Sequence, residues 1–168
     1  VNKGLADKLA RRPAGPPKTQ VRRLGILGAG MMGAGVAYVS ALAGMEVVLI
    51  DSTLELAEKG KAYSRSLLAK DVERGKRSQA DADAILARIK PTVSYDDLAG
   101  SDLVIEAVFE SREIKADVTQ RTEAVIPKNA VFASNTSTLP ITGLAQASKR
   151  PTQFIGIHFF SPVDKMPL

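Results

Sequence analysis

Residues 24–51 read "LGILGAGMMGAGVAYVSALAGMEVVLID". An apolar run of strand length leads into Gly28, Gly30 and Gly33, a helix-forming stretch then stops at Gly44, and "EVVLID" follows as a β-branched buried strand that ends in an acid. Strand, glycine turn, helix and strand make a unit of about 30 residues. The physics asks for glycine at each place: Gly28 for the tight turn, Gly30 so that backbone can approach a pyrophosphate, and Gly33 for close helix–strand packing. The helix amino terminus then offers free N–H groups and a positive dipole end to the phosphates, with Met31 and Met32 counted among the cofactor residues. Asp51, at the end of the second strand, is placed to accept hydrogen bonds from ribose hydroxyls and to repel a 2′-phosphate, so the expected cofactor is NAD rather than NADP. The alternative is that the glycines serve packing alone and that Asp51 only caps the next helix.

Outward from this unit, residues 53–75 carry apolar positions at helical spacing with Thr53 as N-cap. Ala82, Ile85, Leu86 and Ile89 repeat on a second helix that Pro91 should end, so two helices form a hairpin inserted after the second strand. The strand rhythm resumes with "TVSY", "DLVIEAV", "AVFAS" and "QFIGIHFF", separated by helices at 111–125 and 139–147. Alternation of this kind predicts an α/β, Rossmann-type, doubly wound and mostly parallel sheet over residues 21–168. Residues 1–20 hold three prolines after a possible short helix around Leu5 and Leu9, and read as a linker or tail.

Of 168 residues, 45% are hydrophobic and 24% charged, which suits an ordinary globular domain. The net charge of +5 invites a nucleic-acid reading, yet residues 1–23 hold seven basic residues against Asp7, a net +6, and leave the remainder at −1. With no tryptophan there is also little stacking surface, so no nucleic-acid partner is expected. Cysteine is absent and there is one histidine, which excludes a thiolate nucleophile and a disulfide framework and leaves no expected metal site. No apolar run is long enough to span a membrane.

Two later stretches carry chemistry. "FASNTSTLPIT" places small polar residues beyond a strand end, with Ser137 or Thr138 either facing the ligand crevice or capping a helix. His158, in "FIGIHFFSPVDKMPL", is either a general base or a satisfied polar group.

Together "LGILGAGMMGAGVA", "IEAVFESREIK", "ASNTST" and "GIHFFSPVDKMPL" resemble the NAD-binding domain of the L-3-hydroxyacyl-CoA dehydrogenases, in the form fused behind an enoyl-CoA hydratase domain in multifunctional fatty acid oxidation proteins. The resemblance implies an enzyme that oxidises L-3-hydroxyacyl-CoA to 3-oxoacyl-CoA with NAD in β-oxidation, in a bacterial cytoplasm or, in a eukaryote, a mitochondrion or peroxisome. His158 would take the proton of the 3-hydroxyl, and Ser137 would hydrogen-bond the reacting oxygen and position the nicotinamide. Glu110 and Lys115 would contact the NAD ribose and nicotinamide side, and Asn135, in the same turn as Ser137, is counted with the cofactor residues. On the helical hairpin, Arg74 and Lys76 could meet the CoA phosphates, although a solvated charged face is the more ordinary explanation of either one. Ser161 stands where the family usually has asparagine, so a cofactor contact there would be lost or bridged by water.

The resemblance also implies a glutamate just after "MPL" and a helical carboxyl-terminal domain that completes the active site and the oligomer. The expectation is that this polypeptide binds NAD and turns over little by itself. A β-hydroxyacid dehydrogenase whose substrate lacks CoA, and a non-catalytic NAD-binding module, are the competing readings.

Overall fold

The computed structural model describes residues 19–166, so the expected linker and the helix around Leu5 and Leu9 lie largely outside the described residues. Six strands form one sheet in the order β3-β2-β1-β4-β5-β6, every pair of neighbours parallel. In chain order they are β1 (Arg23–Leu27), β2 (Glu46–Ile50), β3 (Ile89–Thr92), β4 (Leu103–Glu106), β5 (Val131–Ser134) and β6 (Phe154–Gly156). The helices are α1 (Met31–Leu42), α2 (Leu54–Glu73), α3 (Gln79–Ala87), α4 (Arg112–Glu123) and α5 (Ile141–Ala145). The chain reverses direction across the sheet between β3 and β4, and β1 and β4 lie side by side at the centre.

Apolar runs that look continuous in sequence divide by period two between the two faces. Leu24, Ile26, Val47 and Leu49 join Val36, Tyr38, Ala41 and Leu68 of α1 and α2 in one core. Leu27, Val48, Ile50, Val104 and Phe132 join Leu98, Val118 and Ile126 in a second core on the other face. Burial on both sides is what a parallel sheet requires, and it explains why the interior positions of β1, β2, β4 and β5 carry no polar side chain, polar residues falling at the strand ends.

Several boundaries differ from the sequence expectation. Ile89 belongs to β3 and not to the second helix, which ends at Ala87, so "TVSY" contributes only Thr92 to a strand. Pro91 sits within β3, opposite Leu49, and β3 is an edge strand, where a missing N–H costs no ladder bond on the open side. The last strand stops at Gly156, so His158 stands in the loop beyond it. The short helix α5 is capped at Pro140 without a side-chain bond, which removes Ser137 and Thr138 as caps.

The glycine turn behaves as its sequence demands. Gly28 has φ +92°, and a Cβ there would stand 2.6 Å from the carbonyl oxygen of Ala107 in the crossing after β4. A Cβ on Gly33 would overlap the Gly28 carbonyl oxygen. Gly28→Ala therefore combines a left-handed backbone penalty of about 1–2 kcal/mol with overpacking of similar size. Urea unfolding should show a loss of at least about 2 kcal/mol.

Candidate functional site

Each functional loop starts at the carboxyl end of a strand, where main-chain bonds align it with its neighbour. Gly28 N donates to Ile50 O at 2.8 Å, Ala107 N to Leu27 O at 2.7 Å, Asn135 N to Glu106 O at 2.8 Å and Ile157 N to Ser134 O at 3.0 Å. These bonds set the glycine turn, the 107–111 loop, the 135–140 turn and the histidine loop along one edge of the sheet. Ligands of open α/β sheets bind along such an edge.

On the β1 side, α1 begins at Gly30 with no side-chain cap and no acid in its first turn. A Cβ on Gly30 would meet nothing within 4 Å, so open space lies in front of a helix end whose first N–H groups seek an acceptor. That arrangement fits a dinucleotide pyrophosphate. Asp51 is tied to the turn: Oδ2 accepts from Ala29 N at 2.7 Å and Oδ1 from Ser52 N at 2.6 Å. Thr53, not Asp51, caps α2, its hydroxyl accepting from Leu56 N at 3.2 Å. A groove of about 380 Å³ over this turn is lined by Gly30, Met31, Asp51, Leu56, Lys59 and Tyr63 among others. Met31 is 73% exposed there, whereas Met32 packs against the core. Two further clefts, around Arg23, Glu46 and Arg88 and around Gln20 and Met45, lie at the opposite, amino ends of the strands.

On the β4–β6 side a polar cluster surrounds the turn "SNTST". Glu110 Oε1 accepts from Ser137 N at 3.0 Å, from Thr138 N at 3.2 Å and from the Thr136 hydroxyl. Its other oxygen lies 3.1 Å from Lys115 Nζ. Burial pushes the Glu110 carboxyl upward, but the Thr136 hydroxyl, the Thr138 amide and the Lys115 ammonium outweigh it and bring the group down to about 2. Lys115 is 2% exposed and also meets the buried Glu106 at 2.6 Å, so its ammonium serves the two carboxylates and does not reach into the crevice.

His158 is exposed beyond β6, with Nδ1 3.3 Å from the Thr136 carbonyl oxygen. A carbonyl only accepts, so this contact assigns a proton to Nδ1, and in the neutral tautomer that makes it Nε2 is the ring's acceptor. The Phe160 ring stands edge-on to the imidazole at 5.1 Å between centroids. Asn135 Oδ1 accepts from Phe159 N at 2.8 Å, which makes Asn135 a brace for the histidine loop. Ser137 exposes its hydroxyl beside Thr136. The Ser161 hydroxyl faces Met31 Sδ at 3.5 Å and so links the two halves of the crevice.

Beyond it, Val163 packs on Gly35, and the Tyr63 hydroxyl donates to Asp164 Oδ1 at 3.3 Å, which folds the segment after His158 back over α1 and α2. Arg74 and Lys76 are both exposed at the far end of α2, about 30 Å along the helix from Thr53. The structure thus brings Gly28, Gly30, Asp51, Glu110, Asn135, Ser137, His158 and Ser161 to one edge and leaves those two cations apart. Sequence reasoning passed over Glu106, Ser134 and Thr136; a lone acid inside the apolar run "LVIEAV" was the available signal.

Residues 23–168 match the family described as "3-hydroxyacyl-CoA dehydrogenase, NAD binding domain". The chain is 41% identical over 164 residues to the fatty acid oxidation complex subunit alpha of Psychrobacter arcticus, covering 98% of this chain and 23% of that protein. With the corresponding subunit of Acinetobacter baylyi it shares 47% identity over 148 residues, 88% of this chain and 21% of the relative. The chain therefore spans under a quarter of the length of these relatives. Among solved structures, the (S)-3-hydroxybutyryl-CoA dehydrogenase of Ralstonia eutropha superposes with a TM-score of 0.84 at 41% identity, over 89% of this chain and 53% of that one. The 3-hydroxybutyryl-CoA dehydrogenase of Escherichia coli K12 gives 0.84 at 34% identity, over 88% and 31%.

The depressed Glu110 carboxyl has a consequence for stability. A group whose folded value lies below its ordinary 4.5 contributes stability that is present above that value and is lost as pH falls toward about 2. Thermal melting of this chain should fall with acid through that window, and the Glu110→Gln variant should show a shallower slope there; parallel slopes would remove Glu110 as the source.

Proposed function

The chain belongs to the NAD-binding domain family of the 3-hydroxyacyl-CoA dehydrogenases, and from that membership we propose that the protein containing it oxidises L-3-hydroxyacyl-CoA to 3-oxoacyl-CoA in fatty acid β-oxidation, in the cytoplasm if its source is bacterial. The observation that carries the proposal is the imidazole of His158, held by Nδ1 on the Thr136 carbonyl next to the exposed Ser137 hydroxyl, on the same sheet edge as an uncapped glycine turn.

With its proton on Nδ1, His158 offers the Nε2 lone pair to the 3-hydroxyl of the substrate and takes that proton as the alcohol is oxidised. The Ser137 hydroxyl hydrogen-bonds the same oxygen, holding it within reach of the imidazole. When bound, NAD supplies the two-electron acceptor for the carbinol carbon. The first N–H groups of α1 would hold its pyrophosphate, Asp51 would accept from the adenosine ribose and Glu110 from the nicotinamide-side ribose. Ser161 in place of the usual asparagine leaves a shorter group at the seam between the two halves, so its reach to a ligand goes through water. Arg74 and Lys76, distant from the reacting atoms, are suited only to the phosphate end of CoA.

Two outcomes follow. Titration calorimetry of this chain should show NAD binding at least about tenfold tighter than NADP, because a 2′-phosphate would face the Asp51 carboxylate; equal binding would remove Asp51 from that role. In the full-length protein, His158→Gln should lower kcat for 3-hydroxyacyl-CoA oxidation by about 10²- to 10⁴-fold while leaving NAD affinity within twofold of wild type. Wild-type activity in that variant would refute the assignment of the base.

A further inference from the structure

The chain has four methionines and no cysteine, so thioethers are its only oxidisable sulfur. Met32 and Met45 pack against the core formed by α1, α2 and one face of the sheet, and Met166 is 46% exposed in the segment after His158. Met31 differs from all three. It is 73% exposed, it occupies the first position of α1, and it lines the groove over the glycine turn together with Gly30 and Asp51. Its sulfur is also placed: the Ser161 hydroxyl, 3.5 Å away, donates to Sδ from the other half of the crevice. A thioether is a weak acceptor, and the sulfur has a second lone pair for solvent-borne reagents.

The helix end beside that sulfur lacks an acceptor. Gly30 supplies no side-chain cap, the first turn of α1 holds no acid, and the space in front of Gly30 is open. Uncapped N–H groups and the positive end of the helix dipole draw a strong acceptor within reach. In the functional reading above, on which this inference rests for its ligand, that acceptor is the pyrophosphate of NAD. We propose that Met31 is a modification site through which a peroxide controls occupation of the glycine turn. In the step, the sulfur lone pair attacks one oxygen of hydrogen peroxide, an S–O bond forms as the O–O bond breaks, and the second oxygen leaves as water with both protons. Sulfur is oxidised by two electrons and the peroxide reduced by two, and methionine sulfoxide reductases reverse the change. The sulfoxide oxygen is a strong acceptor one bond from a sulfur that already lies at the helix end. It takes the donors of α1 and the Ser161 hydroxyl in competition with the pyrophosphate, and it replaces an apolar wall of the groove with a polar one.

The test treats the 168-residue chain with hydrogen peroxide, checks folding by circular dichroism, locates the added oxygen by tandem mass spectrometry and titrates NAD by calorimetry before and after. Met31 should take up oxygen ahead of Met32 and Met45. The oxidised chain should bind NAD at least about tenfold more weakly, the worth of one main-chain hydrogen bond to a charged phosphate. Met31→Leu keeps the size of the side chain without its sulfur, and it still carries Met166, so it separates the two exposed thioethers. In that variant the same treatment should leave NAD affinity where the untreated variant had it. Oxygen on Met32 or Met45 before Met31, an affinity that survives complete oxidation of Met31, or an equal loss in treated Met31→Leu would overturn the proposal. An untreated chain that binds no NAD would overturn the dehydrogenase reading and the proposal together, whereas ordinary binding untouched by peroxide would overturn the proposal alone.

Discussion

The row of main-chain bonds across the carboxyl ends of the strands is the constraint on which the rest of the molecule depends. Parallel strands can register with one another only if each chain leaves the sheet at a common level, and here Gly28, Ala107, Asn135 and Ile157 each donate to the last carbonyl of a neighbouring strand. Turns that are separated by up to about 130 residues in sequence thereby begin at adjacent points in space. Everything chemical in the domain is within a few residues of that row.

The two halves of the edge are built by opposite means. On the β1 side the turn is made of backbone with little side chain, because a phosphate must come close to the helix end and any Cβ at Gly28 would strike Ala107. On the β4–β6 side the turn is packed with polar side chains that satisfy one another, and the charged pair of Glu106 and Lys115 lies beneath it out of water. The first half leaves its donors open for a ligand. The second spends its donors internally and so fixes the orientation of the few groups that face outward. Ser161 beside Met31, and Asp164 beside Tyr63, are the points where the segment after His158 spans the two.

Exposed apolar side chains also concentrate along this crevice: Phe109 is 78% exposed and Phe160 55%. Apolar surface of that kind beside a ligand edge marks an interaction surface.

Much of this was legible in sequence because local rules and tertiary demands agree. The strand–glycine–helix–strand unit is specified by Gly28, Gly30 and Gly33 and by the apolar run before them; Thr53 capped its helix as its chemistry suggests, and the two-sided burial of the parallel sheet is written in the apolar interior positions of its central strands. Where the readings diverged, a longer-range contact had overruled a local signal. Ile89 continues a helical spacing, yet it pairs with Val47 at the sheet edge, where Pro91 is tolerated. Ser137 and Thr138 have the character of helix caps, but the carboxylate of Glu110, from a different loop, takes their amides. Sequence by itself determined the fold class, the cofactor turn and the polar types of the second turn, because these rest on backbone conformation and periodicity within short windows. Only the tertiary structure decided that Glu106, Lys115, Glu110 and Ser134 close on Thr136 beneath His158, because that ring joins strands and a helix far apart in the chain, and no local pattern records which distant donor a buried carboxylate will find.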